Sequence, residues 1–531
     1  MRRGLSQYPP EKEEGKTEYK LKLTRVSEER LEHLASQMKY RLSEGGGEAF
    51  YVLGVSDEGE PLGLTDEELE VSLENLRRVA ARLGARIKVV REKRGRRGKV
   101  VEVLVRLSRE DSPPIHVSIT VLGNVDAGKS TLVGVLCTGR LDDGNGAAMA
   151  RIARFLHEVE SGRTSSVSTR FLGFDVEGRV VNYEIVHPLD ESEIYLNSAK
   201  IIAFTDLGGH ERYLRTTLRG VMSRLPDYAM LVVGANAGLL KMGREHLGIC
   251  VALGIPVFAV VTKIDMVADE VLKRTIEELR YVATIPGVSK LPFEVRRLDD
   301  AVVAARHMQS GRVLPIFRVS SVTGEGLELL RVFLNLLPPR TRWREKLGKP
   351  LLMYVDDIFN VRGVGPVVAG LVMRGVVEVD DEVLLGPFKD GSWRPVRVKS
   401  IHVNRLPVEK GLAGQEVTLA LTNVRYDEIE KGMAVLDRKE RPASVRVFEA
   451  RVTILKHPTT IKPGYQAVLH YGAIRSTVEF VDMEKKPMRT GDRGLVVLRF
   501  SYHPWYLEEG SVFVLREART RAIGRVIRIV E

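Results

Sequence analysis

The rhythm of apolar and polar positions changes along the chain, and each change marks a part. From about Glu18, YKLKLTRV alternates with a period of two and predicts a strand, while SEERLEHLASQMKYRL carries helical spacing. AFYVLGV reads as a short apolar strand. Thr65-Asp66-Glu67-Glu68 has the form of a capping box and opens a second helix, with Leu69, Leu73, Leu76, Ala80 and Leu83 on one apolar face. ARIKVV and KVVEVLVRL, on either side of the turn REKRGRRGK, complete a β-α-β-α-β-β module over residues 18–111, closed by Asp111-Ser112-Pro113-Pro114. Residues 1–17 are polar and are expected to form a disordered tail.

Over residues 115–340 the rhythm is different. IHVSITVLG, KIIAFTDLG, DYAMLVVGA, PVFAVVTKI and PIFRVSS are near-continuous apolar runs separated by helical segments. Strands of that kind are buried on both faces, which predicts a parallel sheet between helices. Beyond Pro338-Pro339 short strands punctuated by Gly, Pro and Asp recur, with little helix. That spacing predicts β-barrels, and a break at Pro442 divides them into 348–440 and 443–531.

Composition narrows the class. The absence of an 18-residue apolar run excludes a helical membrane span, and the polar N-terminus lacks the apolar core of a secretory signal. Cys137 and Cys250 are the only cysteines, too few for a disulfide framework or a zinc knuckle, so a reducing cytoplasm is expected. Asn (10) and Gln (5) are scarce, a heat-adaptation signature that points to a thermophilic source. The net charge of +11 favours an acidic polymer as partner. Residues 441–531 hold 16 Lys/Arg against 9 Asp/Glu, which suggests a barrel facing phosphates. The basic turn at 91–99 is read either as a solvated tip or as an RNA contact.

Gly123-Asn124-Val125-Asp126-Ala127-Gly128-Lys129-Ser130-Thr131 follows the first buried strand and opens a helix. This is the phosphate loop, whose glycines let successive backbone N–H groups converge on phosphate oxygens at a helix N-terminus. Lys129 is placed to reach the β- and γ-phosphates, and the Ser130 hydroxyl to bind Mg²⁺. Asp206, ending the strand KIIAFT, can hold Mg²⁺ through water, and the Gly209 N–H can touch the γ-phosphate. Thr262-Lys263-Ile264-Asp265 follows PVFAVV. Its carboxylate can accept from N1–H and the exocyclic amine of guanine, a pair that adenine lacks; Lys263 would cover the ring, with Met266 beside it. Ser320-Ser321-Val322 follows PIFRV and would offer a backbone N–H to guanine O6. Each element taken alone has an ordinary alternative: a surface turn for Asp206, a helix cap for Asp265. Four in one order, each at a strand's C-terminal end, mark the ligand edge of an open α/β sheet and specify GTP/GDP with Mg²⁺. The predicted fold is therefore multidomain α/β plus all-β: a P-loop GTPase domain and two β-barrels behind an N-terminal α+β module.

These motifs resemble those of the translational GTPases, the group of elongation factors Tu and one-alpha. GNVDAGKST is similar to their GHVDHGKTT and DLGGH to their DTPGH, while SGRT aligns Thr164 with their switch I threonine. GNVDAGKSTLVGVL, HEVESGRTSSVS, LPDYAMLVVGANAG, VVTKIDM, KHPTTI and REARTRAIGRVIRI resemble, more specifically, the GTP-binding protein one and two family. The resemblance implies that His210 orients the attacking water, that Thr164 completes the Mg²⁺ shell with Ser130 and Asp206, and that catalysis rests on His210, Thr164 and Lys129. It also matches Asp126 with a residue that binds a monovalent cation in related GTPases; a loop-bracing Asp is the other reading. Implied partners are the ribosome and tRNA or mRNA, for a monomer without a membrane role. The competing function is an RNA-binding scaffold for RNA-decay factors with the GTPase as timer. An initiation-factor-like carrier is disfavoured by the missing zinc knuckle, and a selenocysteine-specific factor by the end of the sequence at Glu531.

Departures from the elongation-factor pattern are informative. Arg163 stands where those factors have an apolar gate residue, Gly208 replaces a Pro, Gly365-Pro366 replaces Gly-Thr, and Thr262 replaces an Asn. The long interval between Thr164 and Asp206 suggests an inserted hairpin around FLGFDVEGRVVNYEI.

Overall fold

The computed structural model describes residues 8–108, 113–153, 168–206, 226–517 and 520–531. The N-terminal module has the order β1 (Thr17–Lys20), α1 (Glu28–Glu44), β2 (Glu48–Leu53), α2 (Asp66–Arg82), β3 (Ala85–Arg94) and β4 (Lys99–Leu107). Ser27 caps α1, and Thr65 with Glu68 forms the capping box of α2. The strands lie in the order β1-β2-β4-β3. Both helices cover one sheet face: Leu31, Leu34, Met38, Leu76 and Val79 pack on Tyr51, Leu53, Val101, Val103 and Val105.

The opposite face is an interface. Phe50 and Leu104 enter the core of the following domain. Beside them Glu48 is fully buried between Arg106, whose Nε and Nη2 donate to it at 2.9 and 2.6 Å, and Lys200, whose ammonium donates at 3.2 Å. Lys200 and Arg106 also donate to the Asn335 carbonyl, at 2.7 and 3.2 Å. Burial would raise the Glu48 carboxyl, but Lys200, Arg106 and Lys16 outweigh it and bring it down to about 2. The same burial pushes Lys200 down to about 7.

Of the expected tail, residues 8–17 are described and lie fixed on the module, while residues 1–7 lie outside the described residues. Arg41 donates to the carbonyls of Lys12, Glu13 and Gly15 and pairs with Glu11 and Glu18, which fixes residues 11–18 on the module. A polar composition concealed this because the partners are backbone carbonyls and one buried guanidinium.

The second domain is a doubly wound sheet. Its elements are β5 (Ile115–Gly123), α3 (Lys129–Thr138), α4 (Ala147–Ile152), β6 (Ser168–Phe174), α5 (Glu191–Asn197), β7 (Lys200–Asp206), β8 (Tyr228–Gly234), α6 (Lys241–Ala252), β9 (Val257–Thr262), α7 (Asp269–Thr284), β10 (Leu291–Glu294), α8 (Leu298–His307), β11 (Val313–Arg318) and α9 (Leu327–Leu336). Strand order is β10-β11-β9-β8-β5-β7-β6. Neighbours are parallel except β6, which runs antiparallel to β7. Every residue of β7, β8 and β9 is buried, as strands covered on both faces require. Core residues of α3, α8 and α9 fill one side and those of α6 and α7 the other.

The inserted hairpin expected after Thr164 is not formed. FLGF belongs to β6, an edge strand of the main sheet, and its return makes only a single bridge, Phe174 with Val180, before a short helical turn at Val181–Tyr183. Asp175 accounts for the turn: its carboxylate accepts from the N–H groups of Glu177 and Arg179, both at 2.8 Å.

Two all-β domains follow. In the first, strands run in the order 352–354, 434–437, 382–386, 394–403, 416–422 and 365–374, and pairing of 352–354 with 365–374 joins the ends. The second is a closed barrel of six strands between Val447 and Ile529. Leu352, Tyr354, Leu384 and Leu436 of the first join the core of the second, where Tyr354 meets Tyr506 and Trp505 is buried. The nucleotide-type domain meets the first through Tyr195, whose hydroxyl accepts from Gln415 at 3.1 Å, and the second through Glu245, paired with Arg521 at 3.1 Å.

Candidate nucleotide-binding site

β5 ends in a turn that its residues are built to make. Gly123 has φ +144°, and a Cβ there would lie 2.2 Å from the Val232 carbonyl oxygen. Asp126 and Gly128 take φ values of 60° and 79°, left-handed conformations that turn the loop back toward α3. The loop is tied down on three sides. The Thr262 hydroxyl donates to the Ala127 carbonyl at 2.7 Å. The Asn124 amide oxygen accepts from the Gly243 N–H at 3.1 Å. The Gly123 N–H donates to His246 Nδ1 at 3.3 Å. Burial, reinforced by Lys129, brings His246 down to about 4, so its imidazole is neutral and Nδ1 can accept.

Lys129, the first residue of α3, is 7% exposed and donates to the Asn124 carbonyl at 2.7 Å. Burial lowers its pKa, and the Asp206 and Asp126 carboxylates oppose that. Ser130 follows, and its hydroxyl donates to Asp206 Oδ2 at 2.5 Å. Asp206 ends β7, the strand beside β5, and is 1% exposed. One hydroxyl and one buried carboxylate are hard oxygen donors of the kind Mg²⁺ takes when phosphates and water supply the rest. Thr131 continues the first turn of α3.

The base-side residues lie further along the same edge. Lys263 has φ 59° and turns the chain out of β9 into the short helix Ile264–Met266, which leaves Asp265 exposed. Met266 is exposed as well. Beyond β11 the buried Ser320 hydroxyl accepts from the N–H groups of Val322 and Thr323 at 3.2 and 3.0 Å. The Ser321 carbonyl accepts from the Asp142 N–H at 2.9 Å. The Asp142 carboxylate in turn accepts from Gly144, Gly146 and Ala148, so the loop after α3 is pinned against the Ser320–Val322 turn.

Asn124 to Thr131, Asp206, Thr262 to Met266 and Ser320 to Val322 thus stand at the C-terminal ends of β5, β7, β9 and β11, on one edge of one sheet. Thr164, Gly209 and His210, with Arg163 and Gly208, lie outside the described residues. His246 and Asp142 were missed by sequence reasoning. Asp142 precedes a Gly-Asn-Gly turn, a local signal for a capping carboxylate; a buried His on a helix has no such signal.

Residues 114–339 match the model of the elongation factor Tu GTP binding domain, and residues 365–436 that of elongation factor Tu domain 2. The chain is a GTPase of the translation-factor class. It is 43% identical to GTP-binding protein 1 of Xenopus laevis, over 96% of this chain and 78% of that protein. It is 45% identical to GTP-binding protein 2 of Homo sapiens, over 98% and 87%. It belongs to their family. Elongation factor 1-alpha of Pyrococcus horikoshii is 27% identical over 72% of this chain and 89% of that protein. Among solved structures, elongation factor SelB of Methanococcus maripaludis with a GTP analogue matches with TM-score 0.55 at 18% identity, covering 79% of this chain and 80% of that one. At that identity the likeness concerns the fold.

Proposed function

We propose that the chain binds GTP with Mg²⁺ at this edge and uses its hydrolysis to time an encounter with tRNA and the ribosome. The observation that carries the reading is the joint placement of the phosphate loop, Asp206, Asp265 and the Ser320–Val322 turn, with Ser130 and Asp206 2.5 Å apart, in a chain whose two barrels pack on one another and on the same domain.

In this reading Lys129 leaves the Asn124 carbonyl for the β- and γ-phosphates, exchanging a neutral acceptor for a charged one. Ser130 and Asp206 hold Mg²⁺, which supplies neutralisation of phosphate charge. Thr164 engages only when the γ-phosphate is present, so its release after hydrolysis frees switch I. His210 orients the attacking water, Asp265 selects guanine, and Asp126 is the candidate ligand for a monovalent cation. Elongation factors among the similar proteins, together with the basic second barrel, support a ribosome- and tRNA-linked role in the cytoplasm.

Multiple-turnover GTP hydrolysis with and without ribosomes tests it. Stimulation by ribosomes, increased by aminoacyl-tRNA, is the expected result. No stimulation, with nucleases co-purifying in place of ribosomes, would replace the reading by the RNA-decay scaffold.

A further inference from the structure

The hairpin joining β3 to β4 belongs to the N-terminal module, and residues 86–99 hold eight Lys/Arg against one acid, Glu92. Two of the cations are used inside the fold. Arg91 pairs with Glu102 at 3.3 Å and Asp299 at 3.1 Å, and Lys93 lies 5.6 Å from the centre of the Tyr8 ring. The other six, Arg86, Lys88, Arg94, Arg96, Arg97 and Lys99, are exposed. Lys99 pairs with Asp66 at 2.9 Å, and Arg96 has Glu60 at 3.7 Å. Among the described residues, Arg86, Lys88, Arg94 and Arg97 have no ion-pair partner.

β3 is the edge of its sheet, and cations on an edge discourage pairing with another chain. That accounts for Arg86 and Lys88 but not for the tip. The tip is held by backbone bonds that an ordinary solvated turn does not need. The Arg96 N–H donates to the Pro61 carbonyl at 3.0 Å and the Arg97 N–H to Leu62 at 2.7 Å, while Leu64 and Lys99 exchange both of their bonds at 2.8 Å. The contact is close enough to demand glycine: a Cβ at Gly98 would lie 1.9 Å from the Leu64 carbonyl oxygen, and one at Gly95 2.8 Å from Gly63 Cα. The backbone beneath Arg94, Arg96 and Arg97 is thus fixed before any partner arrives, which lowers the entropy cost of binding. Val89, 36% exposed, is the one large hydrophobic residue of this hairpin counted as exposed, so the surface lacks the apolar centre of a protein interface. Guanidinium forks on a rigid turn suit paired phosphate oxygens.

We propose that Arg94, Arg96 and Arg97 form a docking site for the phosphodiester backbone of RNA, giving the N-terminal module a role in positioning RNA against the nucleotide domain. The inference rests on the RNA-linked function proposed above. Contacts of this kind fix orientation and do not read sequence.

The test is binding of fluorescently labelled, unfractionated tRNA by the full chain across a KCl series, for the wild type, R94A/R96A/R97A and R94K/R96K/R97K. The alanine variant is expected to lose about 10-fold in affinity, and its plot of log affinity against log salt to flatten by about 2–3, as loss of three phosphate contacts requires. The lysine variant keeps the slope, and basal GTP hydrolysis stays at the wild-type rate in all three. A wild type that binds tRNA while the alanine variant matches it in affinity and slope would overturn this site alone. A wild type that binds no RNA would remove both the site and the RNA-linked function. Displacement of tRNA by polyglutamate at matched charge, as effective as by unlabelled tRNA, would assign the tip to an acidic polypeptide and overturn the RNA assignment.

Discussion

Single side chains divide the nucleotide edge into separable tasks. Asp265 is exposed on the turn after β9, free of the packing that fixes Thr262 beside it. Asp265→Asn should therefore leave the fold intact, weaken GTP and admit xanthine nucleotides, whose C2 carbonyl accepts where the guanine amine donates; competition binding reads this directly, and unchanged GTP affinity would remove Asp265 from the base site. Thr262 acts differently. Its hydroxyl donates to the Ala127 carbonyl, so Thr262→Val should loosen the phosphate loop. Loss of a bond worth about 1 kcal/mol predicts that GTP and GDP weaken alike, by about 5-fold. A loss confined to GTP would contradict that role. The sequence made the glycines and Lys129 legible because the phosphate loop is a backbone device with few solutions. It left Thr262 as a departure from a pattern, since its use lies in reaching the Ala127 carbonyl across the edge, and it left His246 unnoticed, since only the fold brings that ring to the Gly123 N–H.

At the level of elements, a fully buried carboxylate stands at the junction of the N-terminal module and the nucleotide domain, beside Phe50, Leu104 and the pair Glu102–Arg306. Glu48 on β2 meets Arg106 on β4 and Lys200 at the start of β7. Its folded pKa, about 2, is below the ordinary 4.5, so its contribution to stability is full above pH 4.5 and lost as pH falls through 2. The difference corresponds to about 3 kcal/mol. Acid unfolding followed between pH 5 and 2 should show this loss in the wild type and much less of it in Glu48→Gln. That variant should already be destabilised at pH 7 by about 3–5 kcal/mol, because buried cations are left unpaired. A flat profile shared by both proteins would contradict the assignment. The module's β-α-β-α-β-β order was readable because periodicity and a capping box are local. The junction was not: Glu48 and Lys200 sit in unremarkable stretches, and an all-buried β2 looks the same whether helices or another domain cover its second face. β6 was likewise misread as part of a hairpin, because an edge strand of the main sheet and a hairpin arm share one apolar pattern.

For the whole molecule, a nucleotide domain, two barrels sharing a core and a module locked onto the first domain make a body in which the ends of β5 and β7 are linked to distant surfaces. Glu245, next to His246 on α6, pairs with Arg521 of the second barrel, so that barrel is two contacts from the Gly123 N–H. Arrangement by domains was legible at this scale because the change from buried parallel strands to short punctuated ones is a change of architecture; how the parts dock was not, since it depends on few residues far apart in sequence. The proposed function stands or falls on ribosome-triggered hydrolysis acting through His210. Single-turnover GTP hydrolysis by His210→Ala, with and without ribosomes, tests this most directly. Unchanged GTP affinity and a ribosome-stimulated rate lowered by about 10²–10⁴-fold, the range for a positioned acid–base group, are expected. A stimulated rate equal to that of the wild type would contradict it and turn attention to Arg163.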